Sequence, residues 1–499
     1  MRYLPLILAF LAGLVSATGF APLGLWPLTL LCLAVLAHLV RTAASLRSAM
    51  ARGYGFGLGH FILGLNWIAG AFAYQSAMPV WLGWVAVVAL SLFLALYPAL
   101  ASGFAWRLGR DRPDAGFVLF LAAAWIGAEM LRATLFTGFA WNPLAAAVTG
   151  GAQASAYIGT YGVSGLVVLL AGGLWLLLRR HWKAGAVMSG LAASAFLLAP
   201  GGVINRSYIL DETQRPVLRV VQPNIGQQDK HVAAFDALNF RKLEEMTGAP
   251  SAEPRLILWP EAAVPEYLEE DPGARARLAT LLGPKDMLLT GGVALEYDRD
   301  GQLVGARNSV FAMTPQGKLT GRYDKAHLVP YGEYLPMRPI LSAIGLSRLV
   351  PGDIDFWPGP GPGTLDIPGF GKVGLQICYE IIFSGHVVDA KNRPNFIFNP
   401  SNDAWFGSWG PPQHLAQARL RAMEEGLPVV RSTPTGISAV INAQGRILAA
   451  LPFQKAGAIE VVLPPAAAPT PFAKYGNLLP MALALLLIAL AIATRRTLR

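Results

Sequence analysis

The 499-residue sequence predicts a two-part protein, a polytopic α-helical membrane domain carrying an α/β domain of alternating strands and helices. Three observations carry that reading. The chain is 54% hydrophobic and only 14% charged, with a mean hydropathy of +0.44, against about 25% charged for an ordinary soluble chain. Long apolar runs fill residues 2–200 and recur once near the C-terminus. Between them the apolar runs shorten to strand length. A wholly soluble, disordered or collagen-like chain is excluded. Two cysteines, Cys32 and Cys378, exclude a disulfide framework, a thiolate zinc site and an iron–sulfur cluster.

Segments 3–20, 25–40, 54–74, 80–106, 116–136, 157–178 and 184–200 read as seven membrane helices, and Leu478–Ala493 as an eighth. A span takes about 20 residues, roughly 17–25, so the first two and last two sit near the lower limit. Arg41, Arg47 and Arg52 follow the second helix, Arg107, Arg110 and Arg112 the fourth, Arg179, Arg180 and Lys183 the sixth. Arg2 precedes the first, and Arg495, Arg496 and Arg499 follow the last. The alternate loops 21–24, 75–79 and 137–156 hold no Lys or Arg. Short basic loops stay cytoplasmic, so both termini are expected inside and the segment before the last helix outside. The division is 1–201 (seven helices), 202–475 (outside domain) and 476–499 (final helix and basic tail). Residues 202–475 carry 26 basic and 27 acidic side chains, the rest of the chain 14 and 3. The formal charge of +10 is therefore a topology signal, and a nucleic-acid partner loses its support.

Residues 1–17 resemble a secretory leader with Val15-Ser16-Ala17 as a cleavage site; the weakly charged start favours retention. Glu129 and Arg132, three apart in the fifth helix, read as an ion pair that locks helix packing, with a functional role as the alternative. Gly53, Gly55, Gly57 and Gly59 read as a close helix–helix contact.

In the outside domain, 217–221, 256–259, 287–290, 373–377, 396–398 and 436–441 read as buried strands. Segments 231–247 and 413–425 read as helices, and 309–322 as a hairpin around Pro315-Gln316-Gly317. The Pro/Gly-rich stretch 351–363, with Ile354, Phe356 and Trp357, reads as a mobile lid or a membrane-touching loop.

Three residues of this domain can carry chemistry. Cys378, in Gly374-Leu-Gln-Ile-Cys-Tyr-Glu380, ends a strand, where α/β sites form. It is either a small buried hydrophobe or a nucleophile. Against the first, Cys32 lies in a membrane helix and cannot pair with it, and an unpaired thiol is a liability in an oxidising compartment. Glu261, in Leu256-Ile-Leu-Trp-Pro-Glu261, follows a buried strand, so desolvation would raise its pKa toward a proton-shuttling range; alone it would read as a surface acid. Lys325, in Arg322-Tyr-Asp-Lys-Ala-His-Leu-Val-Pro-Tyr-Gly-Glu333, would lower a neighbouring thiol pKa or stabilise an oxyanion; alone it would read as a loop lysine. His327 is taken as structural.

Together, Trp-Pro-Glu261, Asp-Lys325-Ala-His-Leu-Val-Pro-Tyr-Gly-Glu333 and Cys378-Tyr-Glu380 resemble the Glu–Lys–Cys triad of the nitrilase superfamily in type and order. Eight surrounding helices, with the domain inserted before the last, and Asn399-Pro-Ser-Asn-Asp-Ala-Trp-Phe-Gly407 narrow the resemblance to the apolipoprotein N-acyltransferases. The resemblance implies an αββα sandwich. It also implies Cys378 as nucleophile, Glu261 as general base and acid, and Lys325 as stabiliser of the tetrahedral intermediate. Glu333 would hold Lys325, Tyr379 and Glu380 would support the nucleophile, and Trp405 and Trp357 would contact substrate. The implied activity moves an acyl chain from a phospholipid, through a thioester, to the α-amine of a diacylglyceryl-cysteine apolipoprotein at the bacterial inner membrane, with the domain extracytoplasmic. No metal or organic cofactor is implied. A membrane-tethered amidase with water as acceptor is the nearest alternative, and a transporter or lipid-binding scaffold the alternative from another class.

Overall fold

The computed structural model describes residues 3–74, 79–198, 215–230, 232–343 and 355–494. The membrane half contains α1 (Leu4–Ala17), α2 (Trp26–Arg41), α3 (Leu46–Gly64), α4 (Trp67–Ala71), α5 (Leu82–Leu94), α6 (Leu96–Gly109), α7 (Asp114–Thr134), α8 (Ser155–Leu178) and α9 (Trp182–Leu198). By length and composition, three helical stretches among the described residues can cross a membrane, Leu82–Gly109, Asp114–Thr134 and Leu144–Leu178. A fourth arises if α3 and the helical turns of Trp67–Tyr74, bent by 43°, count as one. The apolar helices α1, α2 and the C-terminal Leu478–Ala493 are shorter.

Helix positions follow the reading with local differences. The third helix starts at Leu46, ahead of position 54, because Ser45 caps it by accepting from Ser48 N. It breaks after Gly64 instead of running on to 74. The 80–106 segment divides at Ala95, where Pro98 withholds an N–H from the carbonyl ladder. The glycine run is a contact on two faces of α3. A Cβ at Gly53 would lie 2.6 Å from Pro98 O on α6, and one at Gly59 would lie 2.2 Å from Phe10 O on α1. Glu129 and Arg132 do not form the expected ion pair; each is taken up by backbone and indole groups described below. Position 1, loop residues 75–78, the 201/202 boundary, His231, Ile354 and the C-terminal arginines lie outside the described residues.

The second half runs β1 (Val217–Gln222), α10 (Ala233–Thr247), β2 (Arg255–Leu258), α11 (Pro272–Ala279), β3 (Met287–Tyr297), β4 (Leu303–Met313), β5 (Leu319–Asp324) and α12 (Arg338–Ala343). It continues with β6 (Gly363–Ile367), β7 (Gly371–Leu375), β8 (Phe396–Pro400), α13 (Gly410–Glu425), β9 (Val429–Ser432), β10 (Ala439–Ile441), β11 (Ile447–Ala450) and β12 (Gly457–Val462). Two short helices, α14 (Pro471–Tyr475) and α15 (Leu478–Ala493), close the chain.

Among the described residues, twelve strands form two six-stranded sheets, ordered β12-β1-β2-β3-β4-β5 and β11-β10-β9-β8-β7-β6. Their inner faces interdigitate through Leu218, Leu258 and Val310 from one sheet and Val373, Phe396 and Val430 from the other. Helices α10 and α11 cover the first sheet through Leu243 and Leu278 against Ile257 and Trp259. Helix α13 covers the second, so the domain is an αββα sandwich. Its central strands pair in parallel, β1 with β2, β2 with β3, β7 with β8 and β8 with β9. Such strands are buried on both faces and read as unbroken apolar runs; β2 is buried throughout. The edge strands β6, β11 and β12 are half exposed and left a weaker signal.

Helix α13 is more buried than its sequence suggested. Gln413, His414, Gln417, Arg421, Glu424 and Glu425 are all sequestered. One face lies on the sheet and the other on α8 of the membrane half. Glu424 accepts from Thr160 N (2.6 Å) and Ser384 Oγ (2.6 Å), and its second oxygen forms an ion pair with Arg421 Nε (3.0 Å).

Candidate active site

Three chain segments converge at the ends of the parallel strands. Glu261 lies just past β2, Lys325 just past β5 and Cys378 three residues past β7. Each is buried. Lys325 Nζ donates to Glu261 Oε1 (3.2 Å) and to Glu333 Oε1 (3.0 Å). Asn308 Nδ2, on β4, donates to the same two oxygens, each at 2.8 Å. The buried Cys378 thiol is an electrostatic neighbour of Glu261 and Lys325. Glu333 Oε2 accepts from Val329 N (2.8 Å), which shapes the loop carrying Lys325.

Backbone geometry sets these side chains. Cys378 has φ +51° and Ala262, beside Glu261, has φ +45°. Both are left-handed values that cost energy in an L-residue and persist where surrounding structure imposes them. Gly291 makes room for the Glu261 turn, since a Cβ there would lie 2.4 Å from Ala262 N and 2.7 Å from Glu261 Cα. The Cys378 carbonyl is held from beneath, by His414 Nε2 at 3.1 Å and Asn399 Nδ2 at 3.3 Å. Behind them Arg431 donates to both Asp403 oxygens (2.6 and 2.5 Å) and to Asn399 Oδ1 (2.5 Å). Burial and the Arg431 charge lower the His414 pKa, keeping it neutral. Its Nδ1 faces Asp403 Oδ1 and Arg431, each at 2.9 Å, and its Nε2 the Cys378 carbonyl.

Glu380 ties two segments together. Its carboxylate accepts from Ile377 N (2.6 Å), Ala326 N (2.7 Å), His327 N (3.1 Å) and Tyr323 Oη (3.0 Å). Burial pushes its pKa up to about 7 against those bonds. Tyr379 points the other way, donating its hydroxyl to Gly138 O in the membrane half (3.2 Å). His327 stacks on Phe383 at 3.9 Å with Nε2 3.0 Å from Thr137 O, a tether between the halves. Trp405 packs edge-on against Tyr74 of the membrane half (5.8 Å). Trp357 lies against Gly305 on β4 with the Arg307 guanidinium over it, 39% exposed.

The charges define a ground state. Burial drives the Cys378 thiol well above its ordinary pKa, with Glu261 adding to the shift and Lys325 opposing it. Burial also pushes Glu261 upward, but Lys325, Lys230, Asn308 and the thiol outweigh it and leave the carboxyl below its usual 4.5. This reverses the direction expected from desolvation alone. At neutral pH these shifts favour a neutral thiol beside an ionised carboxylate, a pair in which the carboxylate can accept the thiol proton. The sign for pH follows. A depressed carboxyl keeps its charge, and its capacity as a base, until the pH falls through the lowered value. Alkylation of Cys378 in the intact enzyme is expected to hold its rate down to about pH 4.5 and decline only below it. A decline centred above about pH 5 would assign the base to another group.

Sequence reasoning missed Asn308, Lys230, His414, Arg431 and Tyr323. Lys230 Nζ donates to Glu261 O (2.8 Å), and burial lowers its pKa to about 8. It lines a cavity behind Glu261, walled by Ile225, Ala237, Phe240, Val264 and Pro265. Of the missed residues only Tyr323 lies in a quoted motif, that of Lys325; the fold brings Asn308, Lys230, His414 and Arg431 to the site from outside any such pattern. Among the described residues, no group of three or more His, Cys, Asp or Glu side chains is arranged to hold a metal ion.

Comparison with known families divides the chain as the fold does. Residues 12–173 match the model for the apolipoprotein N-acyltransferase N-terminal domain, and residues 218–468 match that for carbon-nitrogen hydrolases. An apolipoprotein N-acyltransferase of Rhodopseudomonas palustris is 34% identical over 98% of this chain and 95% of its own. Those of Bradyrhizobium diazoefficiens (35%, over 98% and 95%) and Caulobacter vibrioides (36%, over 96% and 92%) are similar to the same extent. With both halves matched and relatives aligned nearly end to end, the chain belongs to the apolipoprotein N-acyltransferase family.

Proposed function

We propose that this enzyme transfers an acyl chain from a phospholipid to the N-terminal α-amine of diacylglyceryl-cysteine apolipoproteins, through a thioester on Cys378. The observation that carries the reading is the buried cluster in which the Lys325 ammonium lies between the Glu261 and Glu333 carboxylates, with the buried Cys378 thiol as their electrostatic neighbour. In the first half-reaction Glu261 takes the thiol proton and Sγ attacks the ester carbonyl. Lys325 Nζ and a backbone N–H beside Cys378 stabilise the oxyanion. The glycerol oxygen leaves as a lysophospholipid, carrying the proton from Glu261. In the second, the α-amine attacks the thioester, Glu261 takes its proton, and Sγ is expelled and reprotonated. An amide replaces a thioester, so the second step runs downhill; the cycle is ping-pong covalent catalysis. Glu333 and Asn308 orient Lys325 and Glu261, Tyr379 and Glu380 seat the nucleophile, and Trp405 and Trp357 contact lipid.

The membrane half supplies concentration and dryness. Both substrates are confined to a surface, which orients them, and apolar walls shield the thioester from water. We read the half as 1–201 with seven spans, 202–475 as the extracytoplasmic domain, and 476–499 as an eighth span and basic tail. Both termini are cytoplasmic and the membrane is the bacterial inner one. The alternation of basic and uncharged loops supports this topology, with the short apolar helices and α9 as the spans beyond those long enough by themselves. The test is the mass of a diacylglyceryl lipopeptide incubated with the purified enzyme and a phospholipid bearing a labelled acyl chain. One labelled amide-linked chain per peptide is expected. Labelled free fatty acid with an unchanged peptide would favour the hydrolase alternative.

A further inference from the structure

Glu129 and Arg132 are buried charges in α7, and both reach a single loop, residues 135–143. Arg132 Nη1 donates to Phe139 O (3.1 Å) and Trp141 O (2.6 Å). Glu129 Oε1 accepts from Leu144 N (2.9 Å), where the loop ends, and from Trp125 Nε1 (3.1 Å). The loop needs such support. Phe136 (φ +58°), Gly138 (φ +70°) and Asn142 (φ +50°) put three left-handed residues into it, and a relaxed chain would not hold that shape.

The opposite side of the loop touches the chemistry. Gly138 O accepts from the hydroxyl of Tyr379, the residue after Cys378 (3.2 Å). Thr137 O meets His327 Nε2 (3.0 Å), on the Lys325 segment. Trp141 Nε1 donates to Gln413 Oε1 (2.8 Å), and the Trp141 ring lies 5.2 Å from that of His414, which holds the Cys378 carbonyl. A continuous set of hydrogen bonds and ring contacts thus runs from two intramembrane charges to both sides of the nucleophile.

We propose that Glu129 and Arg132 are positioning residues, fixing the backbone of Cys378 through loop 135–143; the proposal rests on Cys378 being the nucleophile. Through Nη1 the guanidinium holds two carbonyl groups of the strained loop at once, those of Phe139 and Trp141, which a neutral side chain does less well. Intramembrane charges are expensive enough to be functional candidates by default.

The test uses full-length enzyme in mixed micelles with dipalmitoyl phosphatidylethanolamine, reading acylation of Cys378 as a gain in intact mass in a single turnover. Arg132→Gln is expected to slow acylation about 100-fold, the size of effect a displacement of roughly 1 Å produces. The lipid concentration giving half-maximal rate should stay within about twofold, and Arg132→Lys should recover most of the rate by restoring one carbonyl contact. In a Tyr379→Phe background the same Arg132→Gln change should cost at least about threefold less, because part of the path is already cut. A wild-type rate in Arg132→Gln would overturn the proposal. So would an equal loss in both backgrounds, or a lowered melting temperature with no recovery in Arg132→Lys. If wild-type enzyme itself gains no acyl mass at Cys378, the nucleophile reading falls and this one with it; if it does, and Arg132→Gln matches it, only the positioning role falls.

Discussion

Replacing Cys378 by alanine is expected to lower acyl transfer by about 10⁴-fold or more and to leave the fold intact. The fold should survive because the hydrogen bonds that set this residue use its carbonyl oxygen, held by His414 and Asn399, and not its sulfur. Truncation removes one buried atom next to the inter-sheet core, a small loss. Activity should not survive, since neither the oxyanion donors nor Glu261 can form a covalent intermediate without Sγ. Cys378→Ser should be nearly as inactive, because a carboxylate held below its ordinary pKa is a poor base for a hydroxyl. Intact mass after incubation with phospholipid is the measurement. Wild type should gain one acyl chain and neither variant any. Continued lipopeptide acylation by Cys378→Ala would remove the thioester from the mechanism.

The second large effect is expected at Lys325. Only 1% of it is exposed, and its ammonium is shared by two buried carboxylates. Lys325→Met keeps the shape but leaves Glu261 and Glu333 facing each other without the cation. Losing one partner of a buried charge network costs about 3–5 kcal/mol, and losing an oxyanion donor costs about 10²–10³-fold in rate. The two effects separate in a double variant. Glu333→Gln beside Lys325→Met should recover most of the melting temperature, since one carboxylate charge is gone, while acylation stays low. Recovery of activity together with stability would mean that Lys325 only neutralises charge.

The sequence made the α/β domain legible where strands are buried on both faces. β1, β2 and β8 were found within a residue or so at either end because their apolar runs are bounded by polar and turn residues. β9 was missed: Val429–Ser432 is buried throughout, yet Arg431 and Ser432 make half of it polar. Arg431 is there to serve Asp403 and Asn399, a purpose that only three-dimensional proximity exposes. The site divides similarly. Glu261, Lys325 and Cys378 stood out because each sits in a distinctive motif, Glu261 and Cys378 just after an expected strand, and the fold brings them together. Asn308, one residue ahead of the expected hairpin, drew no reading, though it bridges both carboxylates. The expected Glu129–Arg132 ion pair failed for a physical reason. Helical spacing permits that contact, but the carbonyls and N–H groups of a tight loop compete for the same side chains and win.

Helix α13 has a bearing on attempts to simplify the protein. It is sandwiched between a sheet and α8, with Glu424 reaching Thr160 and Gln413 reaching Trp141. Cutting the catalytic half free for study in detergent-free buffer would strip one side of that helix bare. Carboxylates, amides and leucines selected for a dry seam would meet water together, and the carbonyl under the reactive sulfur would lose its brace through His414. The soluble fragment is therefore a poor stand-in for the enzyme, and inhibitor screens should be run on the intact, lipid-embedded chain.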